Sequence, residues 1–496
     1  MTGAVWNKKS IKTIILILRR ALIIAALLLL TLLFLKNLDA VTDTYSGRRG
    51  LSFGKTIFRK KAPTTPLALS LAHYTMGIIY DNERATEKAI REYEAVLRSD
   101  PDISYVHTRL AADLFLLKNT DRALKELDTA KSLDPGDPRP RLLAALVYTY
   151  LNRFEDAQAE YSSIMKLKPD SLWALSSLAD LLVLQEKMSE AAAIYEKIIE
   201  KEQGSDILYF NLGVLYSRTG RFDEAIRALK EAVRLNAGYT EAYIGLALLC
   251  EIRKDLRGAA ENFEKALELD PANSEIYHRL GYLFNRLDRM EDAAAQYRTL
   301  IQLDPGDIYA YIEWSNIYLS RKKADEAIEI LSRAVAAGLK NADLYLALGY
   351  AYSLKGDEAG TLKFYNMAEE EAPGEPRVHF YMGTYYEKAG RAAEAVSALK
   401  RAIELDNTFA DAYNYLGYMY ADSGTNLDEA VRLIKKALAE EPDNGAYLDS
   451  LGWAYYKKGM IEEALTELER AAKLEPDEPE IKRHLEEVKE KLKSQN

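Results

Sequence analysis

The phrase LDPGD stands at Leu133–Asp137 and returns at Leu303–Asp307, 170 residues on, which is five periods of 34. Rows of 34 started at Ser70 align twelve deep and end near Pro476. The eighth slot then reads Gly77, Ala111, Ala145, Ala179, Gly213, Ala247, Gly281, Ser315, Gly349, Gly383, Gly417 and Gly452, all small. The twentieth slot is Ala in every row from Ala89 to Ala464 except for Thr361, with one inserted residue before Ala430. At 496 residues the chain is longer than one hydrophobic core usually grows. A fixed period of this size dictates a stack of small units, each burying its apolar face against its neighbours.

Two antiparallel helices per row account for the pattern, with small residues where the helix axes approach and large ones filling the space beside them. Slot eleven carries Tyr80, Tyr148, Tyr216, Phe284, Tyr318, Tyr352, Tyr386, Tyr420 and Tyr455, and slot twenty-four carries Tyr93, Tyr161, Tyr195, Phe263, Tyr297 and Tyr365. Most of the excess of Tyr, 33 against 14 Pro, is thereby placed. Gly220, Gly356, Gly390 and Gly459 fall between the two helices, where a left-handed residue ends the first. A Pro such as Pro101, Pro135, Pro271, Pro305 or Pro442 closes the second. In LDPGD the Leu finishes an apolar stripe, the Pro disfavours helix before it, the Gly eases the turn and the last Asp caps the next helix. The phrase is punctuation.

Slots for Trp or Tyr, Leu-Gly, Tyr, Ala, Phe or Tyr, Ala and Pro at this spacing resemble the tetratricopeptide repeat family over residues 70 to 476. The resemblance implies an all-α, right-handed superhelical solenoid of about twelve helix-turn-helix repeats. Residues 1–12 are read as a basic tail, 13–35 as a transmembrane or signal-anchor segment and 36–69 as a basic linker. Residues 70–476 form the repeats and 477–496 a capping helix and tail. Gln203, Ala237, Leu339 and Asn407 replace the closing Pro, which leaves the turn geometry there open.

In this family the first helix of each repeat lines a concave groove through slots two, five, nine and twelve, and extended peptides bind there. By position these slots hold Tyr74, Phe115, Trp173 and Phe210, with Ile78 and Val214, in the early repeats. Later they hold Glu241, Glu275, Tyr282, Tyr309, Tyr350, Phe380, Tyr418, Trp453 and Tyr456. Nine acids occupy groove slots against Arg139 and Arg377, so the expected partner is a protein or peptide segment with basic and apolar side chains. The competing reading is that the acids are a solvated face and the aromatics pack between repeats. The Lys, Asn, Asn, Lys, Arg clamp of chaperone-binding members is missing, since Ser176, Asp180, Glu241 and Gly245 occupy four of its slots.

Charge is divided along the chain. Met1–Lys61 holds twelve Lys or Arg against Asp39 and Asp43, a net +10, so the rest carries about −20 to reach the formal −10. Ala21–Leu35 is an uncharged run of fifteen residues behind Arg19 and Arg20. It is read as an uncleaved membrane anchor, because no small-x-small triplet follows it, with a cleaved signal peptide as the rival. Basic residues on the amino side favour a periplasmic body, although Arg48, Arg49, Lys55, Arg59, Lys60 and Lys61 gather on the other side.

The remaining chemistry is negative. Gly50–Thr56 (GLSFGKT) has three residues between its glycines where a phosphate loop needs four. His73, His107 and His379 recur at one slot and have no metal-ligand spacing, Cys250 is alone, and the acidic body repels nucleic acid. No cofactor, metal site, small-molecule substrate or catalytic residue is expected. The expected function is a non-enzymatic, membrane-anchored scaffold at a bacterial inner membrane. Residues 416–459 resemble the last repeats of envelope proteins that include adaptors for a processing protease. The alternatives are a cytoplasm-facing regulator of lipopolysaccharide or exopolysaccharide assembly and, more distantly, an enzyme with an unrecognised site.

Overall fold

A computed structural model of the chain describes residues 66–495, apart from 170 and 203. The membrane segment read at 13–35 lies outside these residues. Among the described residues no helix is long and apolar enough to cross a membrane. They form 25 helices and no strand, in two compact units that meet in sequence between Arg253 and Lys254. The first unit holds the helices from Pro66–Asn82 to Thr240–Ile252, and the second those from Leu256–Leu269 to Pro479–Gln495. Helices of 13 and 14 residues alternate through most of both, as Pro138–Tyr150 and Phe154–Leu167 do. The first helix starts at Pro66, ahead of the expected Ser70, because Pro suits a first helical turn and nothing in LALS opposes helix.

The small eighth slot meets the large twenty-fourth as the pairing requires. A methyl group added at Gly77 would lie 2.5 Å from the Tyr93 ring, and one at Gly213 or Gly383 would lie 2.7 Å from Leu229 or Leu399. The twentieth-slot residues, Thr361 included, are all 0% exposed, so the column runs through the interior. Thr361 is tolerated because its hydroxyl donates to the Asp357 carbonyl at 2.7 Å.

Both LDPGD turns are built alike. Gly136 N–H donates to Asp134 Oδ1 at 3.2 Å and Asp137 Oδ1 accepts from Arg139 N–H at 2.9 Å. In the second copy Gly306 N–H reaches Asp304 and Asp307 accepts from Ala310 N–H. The same device rescues turns that lack Pro. Asn236 accepts from Gly238 N–H at 3.0 Å beside Ala237, and Asp406 from Thr408 N–H at 2.9 Å beside Asn407. Leu339 follows a different solution, a left-handed Gly338 with φ 82°.

The turn inside each repeat has a column of left-handed residues. Gly220, Gly356, Gly390 and Gly459 take it as expected, with φ of 74° to 80°. Arg84, Lys118, Asn152, Glu186, Lys254, Asp288 and Lys322 take it without being glycine, at φ 56° to 61°. At the inserted residue the turn lengthens to Ser423–Asn426, with both Gly424 and Asn426 left-handed, and the next helix, Leu427–Glu440, begins in register.

Candidate functional site

Residues in the slots assigned to the groove touch the next first helix or the residue that precedes it. In the first unit Tyr74 packs edge-on against Tyr105 at 6.1 Å between ring centroids, and Phe115 against Tyr150 at 5.4 Å. Phe210 stacks at a tilt on Tyr239, 4.8 Å away. Trp173 is half-buried against the core around Leu175 and Leu178. Glu241 is exposed at the start of Thr240–Ile252. Tyr105, Tyr150 and Tyr239 complete this wall. Tyr105 occupies slot two itself; Tyr150 lies one slot beyond the assigned set, in a column that continues Leu116, Leu184 and Ile252 and was legible as an apolar stripe.

In the second unit Tyr282 and Tyr309 stay 42% and 53% exposed, enough to meet a partner. Arg286 donates to the Tyr282 hydroxyl at 2.8 Å, and Glu275 pairs with Arg279 at 3.1 Å. Tyr350 faces Tyr381 at 6.4 Å. Tyr418 donates to Glu480 of the last helix at 3.2 Å, and Tyr456 is half-buried beside Trp453. Two of the expected groove residues are withdrawn from solvent. Phe380 is 5% exposed, enclosed by Tyr381, Phe409 and Tyr415. Trp453, 7% exposed, is stacked on His484 at 4.1 Å and donates its indole N–H to Asp422 at 3.2 Å. They bind the stack together; slot position alone did not distinguish a lining aromatic from a joining one.

The acids also differ from expectation. Asp343 pairs with Arg377 at 2.8 Å, Glu387 accepts from Tyr415, and Asp411 accepts from Tyr447 at 2.7 Å. Asp180 accepts from Tyr195 at 3.1 Å, and burial pushes its carboxyl up to about 6. Asp449 is buried with His484, whose Nδ1 lies 3.0 Å from both carboxylate oxygens. With Asp81 and Glu275, most of the groove acids have partners inside the wall, so the wall presents aromatic surface more than free negative charge.

Asp81 and Asp113 form the most unusual group. Asp81 accepts from the Tyr93 hydroxyl at 2.5 Å and from Arg109 at 3.4 Å. Its other oxygen and Asp113 Oδ2 are buried with no donor. Burial, and then the neighbouring Asp81 charge and hydrogen bond, push Asp113 up to about 8. Burial raises Asp81 as well. Two buried carboxyls side by side disfavour ionisation of both, which favours a proton on one of the pair. In the second unit His278 bridges Glu313 at 2.7 Å and Asp307 at 2.8 Å. Burial opposes its charge, yet the two carboxylates lift it to about 9.

Comparison with known proteins bears on the repeat family. One family model described as a tetratricopeptide repeat matches residues 74–138, 210–273, 253–308 and 312–376. A second with the same description matches 149–213 and 423–486, and a TPR repeat model matches 383–424. The chain belongs to the tetratricopeptide repeat family. A TPR repeat-containing protein of Pseudomonas aeruginosa is 29% identical over 177 residues, which is 36% of this chain and 30% of that protein. Human tetratricopeptide repeat protein 13 is 32% identical over 139 residues, 27% of this chain and 16% of that one. The chain thus spans less than a third of the length of these two relatives. Among solved structures, Naa15/Naa10 bound to HypK has a TM-score of 0.43 at 15% identity, over 83% of this chain and 64% of that one. Yeast Tom70 has a TM-score of 0.39 at 18% identity, over 86% and 96%.

Proposed function

We propose that this tetratricopeptide repeat protein is a non-enzymatic adaptor held at a bacterial inner membrane, which binds extended partner segments along its first-helix walls and so assembles or regulates an envelope complex. The observation that carries the binding role is the apolar surface left open on those walls while the carboxylates are engaged internally. Leu116 is 69% exposed and Tyr150 55%, next to the packed ring of Phe115. Desolvating such aromatic and aliphatic groups is what supplies interface energy, so the partner segment is chiefly apolar, with basic residues meeting Glu241 and its neighbours. The membrane part is supported by the uncharged run Ala21–Leu35 and its basic flanks.

The test pairs capture with topology. A photo-crosslinking residue at Tyr150 or Tyr309 should trap a partner in cells, and Leu116→Ser with Tyr150→Ser should weaken capture by the purified partner about tenfold. Helix content should not change. Trp173→Ala with Phe210→Ala tests the neighbouring stretch of the wall. Capture unaffected by both pairs moves the binding surface off the first helices. A reporter active only outside the cytoplasm, fused after Asn496, reads the orientation; activity of its cytoplasmic counterpart instead favours the regulator of polysaccharide assembly.

A further inference from the structure

The helix Pro66–Asn82 carries no Asp, Glu, Lys or Arg before Asp81, and its His73 is turned to Glu92 at 2.6 Å. Leu67, Leu71, Thr75 and Ile79 follow one another at four-residue spacing with Ala68 and Ala72 beside them, and all six are exposed. Leu67 is 80% and Leu71 62% exposed. Thr75 turns its hydroxyl back to the Leu71 carbonyl at 2.8 Å, so it offers this face a methyl group. Leu71 stands in slot two, whose later members Ile207 and Tyr309 are also exposed, whereas the Ile79 and Ala72 columns are of core type. One to five periods on from Ile79, the residues are Asp113, Val147, Leu181, Leu215 and Leu249, at most 5% exposed. Periods on from Ala72 stand Val106, Ala174 and Ala242, at most 2% exposed.

What covers the face follows from charge. A preceding second helix of the repeat type would place small and aromatic residues one period before Ala89 and Tyr93, but Lys55 and Arg59 stand there. A second copy seated on the same face would bring two leaders of net +10 together. An anionic lipid surface suits both features, since it accepts the apolar side chains and neutralises Lys55, Arg59, Lys60 and Lys61 just ahead of them. The acidic remainder of the chain is repelled by the same surface, which favours contact at this end alone.

We infer that helix Pro66–Asn82 lies on an anionic bilayer through its Leu67, Leu71 and Ile79 face, as a second membrane contact beyond the amino-terminal apolar run. The inference rests on the reading that the chain is held at a membrane, and the experiment separates the two. The full chain is reconstituted with phosphatidylethanolamine vesicles containing phosphatidylglycerol, or with phosphatidylcholine in its place. Backbone amide exchange is followed over 67–79. Exchange should be about tenfold slower in the anionic vesicles than in the zwitterionic ones. Leu67→Glu with Leu71→Glu should abolish the difference, while the protein still floats with the vesicles and the rest of its first unit exchanges as before. Equal exchange in both vesicles, with the chain co-floating, overturns the docking and leaves the anchor standing. Protection that needs no lipid and grows with protein concentration overturns it in favour of a second copy. A chain that does not float with either vesicle fails the anchor reading, and the docking with it.

Discussion

Burial, with the Asp81 carboxyl beside it, favours the protonated form of Asp113. Its folded pKa of about 8 lies above the unfolded value near 4, so the stability it lends is complete below about pH 4 and lost as pH rises through 8. The first unit should therefore weaken by up to roughly 1 kcal/mol per pH unit between pH 5 and 8. Asp113→Asn keeps a donor facing Asp81 and should flatten that slope in urea unfolding followed across pH. His278 works in the same direction at higher pH, its contribution fading as pH passes about 9. A different residue-scale strain sits in the left-handed turns. Holding a non-glycine residue there costs about 1 kcal/mol, so Lys118→Gly or Lys322→Gly should raise unfolding free energy by roughly that amount, less the entropy glycine brings to the unfolded chain. The same change at Asn152 should gain less, since Asn accepts this conformation more readily.

At the scale of helices, the close approach of the two members of a repeat is set by slot eight against slot twenty-four. Gly281→Ala drives a methyl into the Tyr297 ring, and Gly349→Ala into Tyr365. Each should lower stability by about 1–3 kcal/mol in thermal or urea melts, the usual cost of overpacking a core. The last helix is held by Ile481, His484 and Val488, all at most 2% exposed, with His484 clamped between Asp449 and Trp453. His484→Ala should free it, seen as faster proteolysis after Glu475 with the second unit otherwise folded. These helices were legible in the sequence because the period places small and large residues in fixed columns. The wall was half legible. Tyr74, Tyr282 and Tyr309 could be placed from slot number, whereas the burial of Phe380 and Trp453 depends on which neighbour supplies a ring or imidazole. The pairing of the acids was hidden for a similar reason: Arg377 and Tyr447 reach carboxylates a whole repeat away.

For the molecule as a whole, the contacts run between helices one or two apart in sequence, and the described residues divide into two units. Stability in such an array is a sum of neighbour terms. Gly349→Ala should therefore accelerate amide exchange across the helices around 342–371 and leave the first unit unchanged. The four-residue turn at Ser423–Asn426 bears on how such a chain can lengthen. It takes in one additional residue without shifting Ala430, which remains fully buried in its column. One residue added inside a helix would instead rotate everything beyond it by about 100° and carry that Ala out to solvent. Turns are thus the places where such a chain can accept small insertions, and larger growth comes as whole helix-turn-helix units of 34, so variation in length among related chains is expected in steps of one residue at the turns or of one repeat.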